Sequence, residues 1–399
     1  MLSTRADPAR PLRSTALSAA LLAVAVAAGL FAVAAVSVAV LPWSGQPHVV
    51  PAFTGPGWLG GWAQWDSGWY VRIATDGYSY VPGQQSTVVF FPAYPLLMRL
   101  TGGLVGDTYL AGILVTLAAG VGAATLFAVW LRDRLGAAAA WSALLLFVLY
   151  PYSFFLFGAV YADAVFVVAA IGAFVLLERD RPWLAGMAAA VATAARPMGM
   201  ILVVGLVLRA LERRLDEVPA QPGDEAPAQP GAPHSWWSSA GVLVALVGVG
   251  AFSLYLWSRF GDPLAFLTGQ EAWHQQAGPA TWFKVQFFRD VTDVSSPLSW
   301  LSYVAHPVLT VVGLALVPGV FRRFGRAYGV YALLMIGLSA LATKNFFGMS
   351  RYLLAAFPVF AVAGDLVADR PVLRRAAPAV SGIALVLLTA AFARGYYLS

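Results

Sequence analysis

No cysteine occurs anywhere in the 399-residue sequence. Disulfides, thiolate metal sites and a cysteine nucleophile are therefore excluded. Charge is equally scarce, at 11% of residues, where a soluble domain carries about 25%. The four histidines, His48, His234, His274 and His306, form no HExxH or other close pair. A Walker loop is missing, and so is a glycine fingerprint set in a βαβ pattern, which leaves nucleotide-driven transport and nucleotide-sugar use at a Rossmann domain unsupported. The net charge of +6 falls in short clusters between apolar runs and reads as topology information, with no nucleic-acid footprint.

What the chain has in abundance is apolar sequence, 60% of residues. One soluble core cannot hide so much. Apolar runs recur near 15–42, 108–131, 137–158, 161–177, 183–208, 237–257, 302–320, 327–343, 350–368 and 374–392. Each is close to the roughly 20 residues that a spanning helix needs. Helices satisfy their own backbone in lipid, and the short alternating strands of an outer-membrane barrel are absent from the pattern. These features predict an all-α, polytopic integral membrane bundle of about ten or eleven helices.

Basic clusters set the expected topology. Arg5, Arg10 and Arg13 precede the first run, which is too long for a signal-peptide core and reads as an uncleaved span. Arg132 and Arg134, Arg179 and Arg181, Arg209 to Arg214, Arg322 to Arg326 and Arg370 to Arg375 follow later runs. All fit a cytoplasmic face if 183–208 is a hairpin broken at Arg196-Pro197. The reading gives a cytoplasmic N-terminus over 1–14 and one membrane domain over 15–399. It also gives external loops at 43–107 and 258–301 and a disordered Pro/Ala/acid-rich cytoplasmic linker at 212–236.

The first external loop carries the richest chemistry, WAQWDSGWYVRIATDGYSYVPGQQSTVVFFPAYPLLMR over 62–99. A carboxylate flanked by tryptophans (Trp65, Asp66, Trp69), two arginines (Arg72, Arg99) and many aromatics suit sugar chemistry at a membrane surface. A carboxylate accepts a hydroxyl proton, arginine neutralises a departing phosphate, and aromatic faces stack on pyranoses. The same residues also serve as ordinary interface anchors. Asp76 fits a turn before Gly77. The stretch 264–288 reads as an amphipathic surface helix, with Gln270, Trp273 and His274 either lining an acceptor site or anchoring it.

The run WDSGWYxxIAxxGY followed by FFPAYPLLMR resembles the signature of the GPI mannosyltransferase II (PIG-V-like) family, in its bacterial branch. That family belongs to the GT-C class of polytopic glycosyltransferases. Tyr161-Ala162-Asp163, Ala195-Arg196-Pro197, Gly261-Asp262-Pro263, Ser350-Arg351-Tyr352 and Arg394-Gly395-Tyr396 follow in the family's order. Asp163 stands where the family more often has glutamate, and Ala195 where it has threonine.

The resemblance implies mannose transfer from a polyprenyl-phosphate-mannose donor to a glycolipid or glycan acceptor, inverting to an α-mannoside. Asp66 matches the family's acidic residue at the reaction centre and would be the general base. Trp65, Trp69, Arg72, Tyr78 and Tyr94, with Asp163, Arg196, Arg351 and Tyr352 downstream, are the expected substrate contacts. Asp163 and Arg196 have the alternative of pairing with each other inside the bundle, and Arg351 of snorkelling at the interface. No cofactor is required, although a divalent ion is compatible with an acid and a phosphate. The implied setting is a multi-pass plasma (inner) membrane protein with its active site external. Its partners are the lipid-linked donor, the acceptor and membrane lipids, without nucleic acid. Alternatives are a GT-C enzyme for another lipid-linked sugar, a transporter or flippase for a lipid-linked substrate, and a catalytically inactive accessory subunit.

Overall fold

The computed structural model describes residues 12–216, 240–273, 278–292 and 297–398. Arg5, Arg10, His234 and His274 lie outside them, as does most of the expected linker. Fourteen helices carry the argument: α1 (Leu12–Val40), α2 (Ser67–Asp76), α3 (Ala93–Val105), α4 (Thr108–Arg132), α5 (Ala137–Val148), α6 (Asp163–Glu178), α7 (Pro182–Ala195), α8 (Gly199–Asp216), α9 (Leu246–Phe260), α10 (Pro297–Phe324), α11 (Arg326–Ala342), α12 (Met349–Ala355), α13 (Pro358–Ala368) and α14 (Pro371–Ala393). No strand occurs among the described residues. The protein is a multi-pass helical membrane bundle.

Five helices among the described residues are long and apolar enough to cross a membrane alone: α1, α4, the run Gly241–Phe260, Tyr303–Phe324 and α14. The pair α12 and α13, bent by 86°, adds a sixth if it is one span. The sequence predicts ten or eleven, and its other apolar runs are helical but shorter. The 137–158 run stops as a helix at Val148, because Pro151 interrupts it. The helix α6 keeps 13 of its 16 residues buried, so it packs inside the bundle with little lipid contact. The stretch 264–288 is also not one amphipathic helix. It breaks into Ala265–Thr268, Gly269–Trp273, Pro279–Trp282 and Val285–Asp290, with Gly278 and Lys284 at positive φ. Finally, α8 stays helical to Asp216, into the expected linker.

Side-chain pairs fix the direction of each central helix. Arg196, just past the end of α7, meets Asp163 at the start of α6. Arg209 and Arg213, near the end of α8, meet Glu178 and Asp180 at the other end of α6. The helix α7 therefore runs back along α6, and α8 returns, with the break at Arg196-Pro197. The hairpin inferred from arginine parity has this shape. The two ends of α6 lie about 24 Å apart, at 1.5 Å per residue over 16 residues.

The far end gathers Arg134, Arg209 and Glu212 around Glu178, which also accepts from Tyr328 Oη at 3.0 Å. Arg323 pairs with Asp365. The opposite end gathers α2, the start of α6, the α7–α8 break, the end of α11 and α12. Close helix contact in lipid rests on packing and interhelical hydrogen bonds. Tyr94 of α3 illustrates it, completely buried and donating to Gly112 O of α4 at 2.9 Å beside Thr116 Oγ1 at 2.8 Å.

Candidate active site

Asp66 stands immediately before α2, where an aspartate ordinarily accepts a backbone N–H to cap the helix. Its side chain makes no capping bond, and its backbone is itself helical, with φ −62° and ψ −13°. The carboxylate is thereby released from local duty. Trp65, just before it, adopts φ +52°, a left-handed conformation uncommon for a bulky residue. Trp65 Nε1 donates to Tyr396 O at 3.1 Å, and Asp66 N donates to Tyr161 Oη at 3.1 Å. Gly68 allows this turn to seat: a Cβ there would lie 2.5 Å from Val50 O and 2.9 Å from the Val49 side chain.

Asp66 opens onto a cavity of about 890 Å³. Arg196, Arg351 and Tyr352 line the same space. Asp163 lies behind them, 3% exposed, and accepts from Arg196 Nη2 at 2.5 Å. Arg351 Nη1 bridges the two acids, 3.7 Å from Asp66 Oδ2 and 3.8 Å from Asp163 Oδ2. Three rings hold its guanidinium: Tyr161 at 5.2 Å, Tyr352 at 5.4 Å and Phe155 at 5.5 Å. Tyr352 also lies 5.4 Å from the Arg196 guanidinium.

The charge pattern is uneven. Arg196 Nε and both Nε and Nη1 of Arg351 are buried without hydrogen-bond partners. Buried donors left in this state are costly, and their presence on two residues that line one cavity favours an acceptor group there. Burial pushes the Asp66 carboxyl above the usual aspartate range, while Arg351 and then Arg196 pull it back down. A carboxylate raised in this way is a stronger base than one in water.

Besides Asp163, five of the expected contacts lie outside the cavity lining. Tyr94 is in the core, as described. Tyr78 Oη donates to Phe90 O at 2.8 Å, and its ring packs on Phe252 and Tyr255. Arg72 lies over the Trp69 ring at 5.5 Å. Trp65 packs edge-on against Tyr397. Trp69 is one layer back, against Phe90 at 5.8 Å and Trp273 at 5.3 Å. Asp76 ends α2 as an exposed residue before Gly77, whose φ is +86°.

Other residues reach the site that sequence reasoning passed over. Tyr70, Phe90, Lys344 and Asn345 line the cavity. Tyr161 anchors the backbone of Asp66. Lys284 sends its ammonium onto the carbonyls of Ala340 and Thr343 at the end of α11, where helix carbonyls lack partners. Burial pushes that ammonium down to about 8. One signal was available: Lys284 and Lys344 are the only lysines in the sequence, and both belong to this end. Gln270 and Trp273, read as acceptor-site or anchoring residues, do line the cavity. Among the described residues no group of three or more His, Asp or Glu side chains is arranged to hold a metal.

Residues 36–217 match the family described as mannosyltransferase (PIG-V). The matched part of the chain carries Asp66, Asp163 and Arg196, whereas Arg351 and Tyr352 come from beyond it. GPI alpha-1,6-mannosyltransferase 2 of Cricetulus griseus is 34% identical over 166 residues, 39% of this chain and 32% of that protein. The Rattus norvegicus protein of the same name is 34% identical over 158 residues, 36% of this chain and 31% of that one. The chain thus spans about a third of the length of these curated relatives. The oligosaccharyltransferase of Archaeoglobus fulgidus, solved in its apo form, superposes with a TM-score of 0.50 at 13% identity, covering 94% of this chain and 56% of that one. That likeness concerns the fold alone.

Proposed function

We propose that the protein is a membrane mannosyltransferase that moves mannose from a polyprenyl-phosphate-mannose donor to a hydroxyl of a glycolipid or glycan acceptor. One observation carries the reading: a carboxylate and two arginines with unmatched buried N–H groups share a single cavity. Retention of the PIG-V motif around Asp66 supports the sugar and the donor. In the proposed step the acceptor oxygen attacks the anomeric carbon as the bond to the lipid phosphate breaks. The hydroxyl proton passes to Asp66, and the phosphate leaves with the bond's electron pair. Arg351 and Arg196 offer that phosphate the N–H groups they lack partners for. A single displacement inverts a β-linked donor to an α-mannoside.

Apolar side chains of the α7–α8 turn (Met198), α8 (Ile201) and α11 (Leu338 and Ala342) continue the cavity from Arg196 and suit the donor's lipid chain. The positive-inside rule supports a cytoplasmic setting for the arginine-rich far end, and with it an Asp66 that works on the external face of the plasma membrane or its equivalent. The test is mannose transfer from polyprenyl-phosphate-mannose in membranes containing the wild type or Asp66→Asn at equal abundance. Loss of about 10²–10⁴-fold is expected for a missing general base. Full activity in the variant would remove Asp66 from that role.

A further inference from the structure

Two neutral polar atoms of cavity-lining residues also lack partners: Trp273 Nε1 and Asn345 Oδ1. They differ in kind from the unmatched arginine nitrogens. An anion offers acceptors only, so it satisfies a guanidinium or an indole N–H but does nothing for Asn345 Oδ1, which requires a donor. A hydroxyl group both donates and accepts. The pairing of one bare donor with one bare acceptor around a single cavity is therefore a pattern for a polyhydroxylated ligand.

Both residues are fixed before any ligand arrives. Trp273 ends the short helix Gly269–Trp273 and is held edge-on by Trp69 at 5.3 Å and Phe90 at 5.8 Å. Its ring is secured by packing that makes no use of the N–H. Asn345 is 3% exposed, three residues beyond α11, in a segment tied down by the bonds from Lys284 to Ala340 and Thr343. Phenylalanine and an aliphatic residue would fill these positions without leaving buried polar atoms bare. Gln270, one turn before Trp273, adds a further amide to the wall.

We propose that Trp273 and Asn345 form a sugar-hydroxyl subsite, Trp273 Nε1 donating to one hydroxyl of a pyranoside and Asn345 Oδ1 accepting from another. The proposal rests on the glycosyl-transfer reading for the class of ligand, and on the bare atoms for the residues. Both are specificity residues, which bind the ring without taking part in proton transfer.

The test reads binding apart from turnover. The full-length protein in phosphatidylcholine nanodiscs is examined by saturation-transfer NMR with methyl α-mannopyranoside. Wild type, Trp273→Phe, Asn345→Ala and Asp66→Asn are compared. Wild type and Asp66→Asn are expected to give the transfer signal. Trp273→Phe, which keeps the ring, and Asn345→Ala are expected to weaken it about five- to tenfold, the loss of one hydrogen bond each. Equal signals from all four proteins, or no signal from any, would overturn the subsite. Transfer assays separate the two proposals. Binding intact in an Asp66→Asn variant that still transfers mannose would sink the base and leave the subsite standing. Transfer lost with Asp66→Asn but binding unchanged in Trp273→Phe and Asn345→Ala would do the reverse.

Discussion

Neutralising Asp163 is expected to damage the protein more than neutralising Arg196, although the two face each other at 2.5 Å. Asp163 is the nearest carboxylate to Arg196 and the second neighbour of Arg351 at 3.8 Å. Asp163→Asn strips Arg196 of its ion pair and leaves Arg351 only Asp66, at 3.7 Å. Arg196→Gln leaves Asp163 with Arg351 still in reach. With side chains 3% and 10% exposed, breaking the pair costs about 3–5 kcal/mol. Asp163→Asn belongs at the top of that range and Arg196→Gln at the bottom or below it. The assay is thermal unfolding of purified protein in detergent, followed by tryptophan fluorescence, with and without inorganic pyrophosphate. The anion should raise the melting temperature of Asp163→Asn more than that of wild type, because it supplies the missing negative charge to the two arginines. A lower melting temperature for Arg196→Gln than for Asp163→Asn, or no shift in either, refutes the charge balance described for the site.

Transfer should fall as the pH drops through a group titrating above the usual aspartate value of 3.8, since the base works only when ionised and burial raises it. That acid limb should vanish from the residual activity of Asp66→Asn, as pH–rate profiles would record. Arg351→Lys keeps the charge but loses the planar contact with Tyr161, Tyr352 and Phe155. Its KM for the donor should rise about 10–100-fold, the worth of a charged hydrogen bond. Tyr94→Phe removes a buried bond between α3 and α4 and should cost about 1 kcal/mol, read by melting temperature, with transfer unchanged.

The sequence was strong wherever a signal repeats or a local rule is broken. Apolar runs announced the membrane bundle, and arginine parity located the turn at Arg196-Pro197. The WDSGWY run singled out Asp66, and the structure adds that this aspartate forgoes its capping bond. Motif membership alone did not foretell that the hydroxyls of Tyr78 and Tyr94 bond carbonyls of neighbouring segments. A motif conveys that a residue type matters without telling substrate contact from packing.

Composition and periodicity by themselves thus determined the solvent this chain folds in and the helical class, because lipid imposes length and polarity on each segment separately. Tertiary structure alone decided which ionisable groups meet. Arg351 lies 285 residues from Asp66 in sequence, yet it sits between Asp66 and Asp163. Asn345, unremarked in sequence, became part of the cavity wall, and Tyr161 became the anchor of the Asp66 backbone. Such meetings depend on where α6, α7 and α12 begin and break relative to one another, and no single segment encodes that.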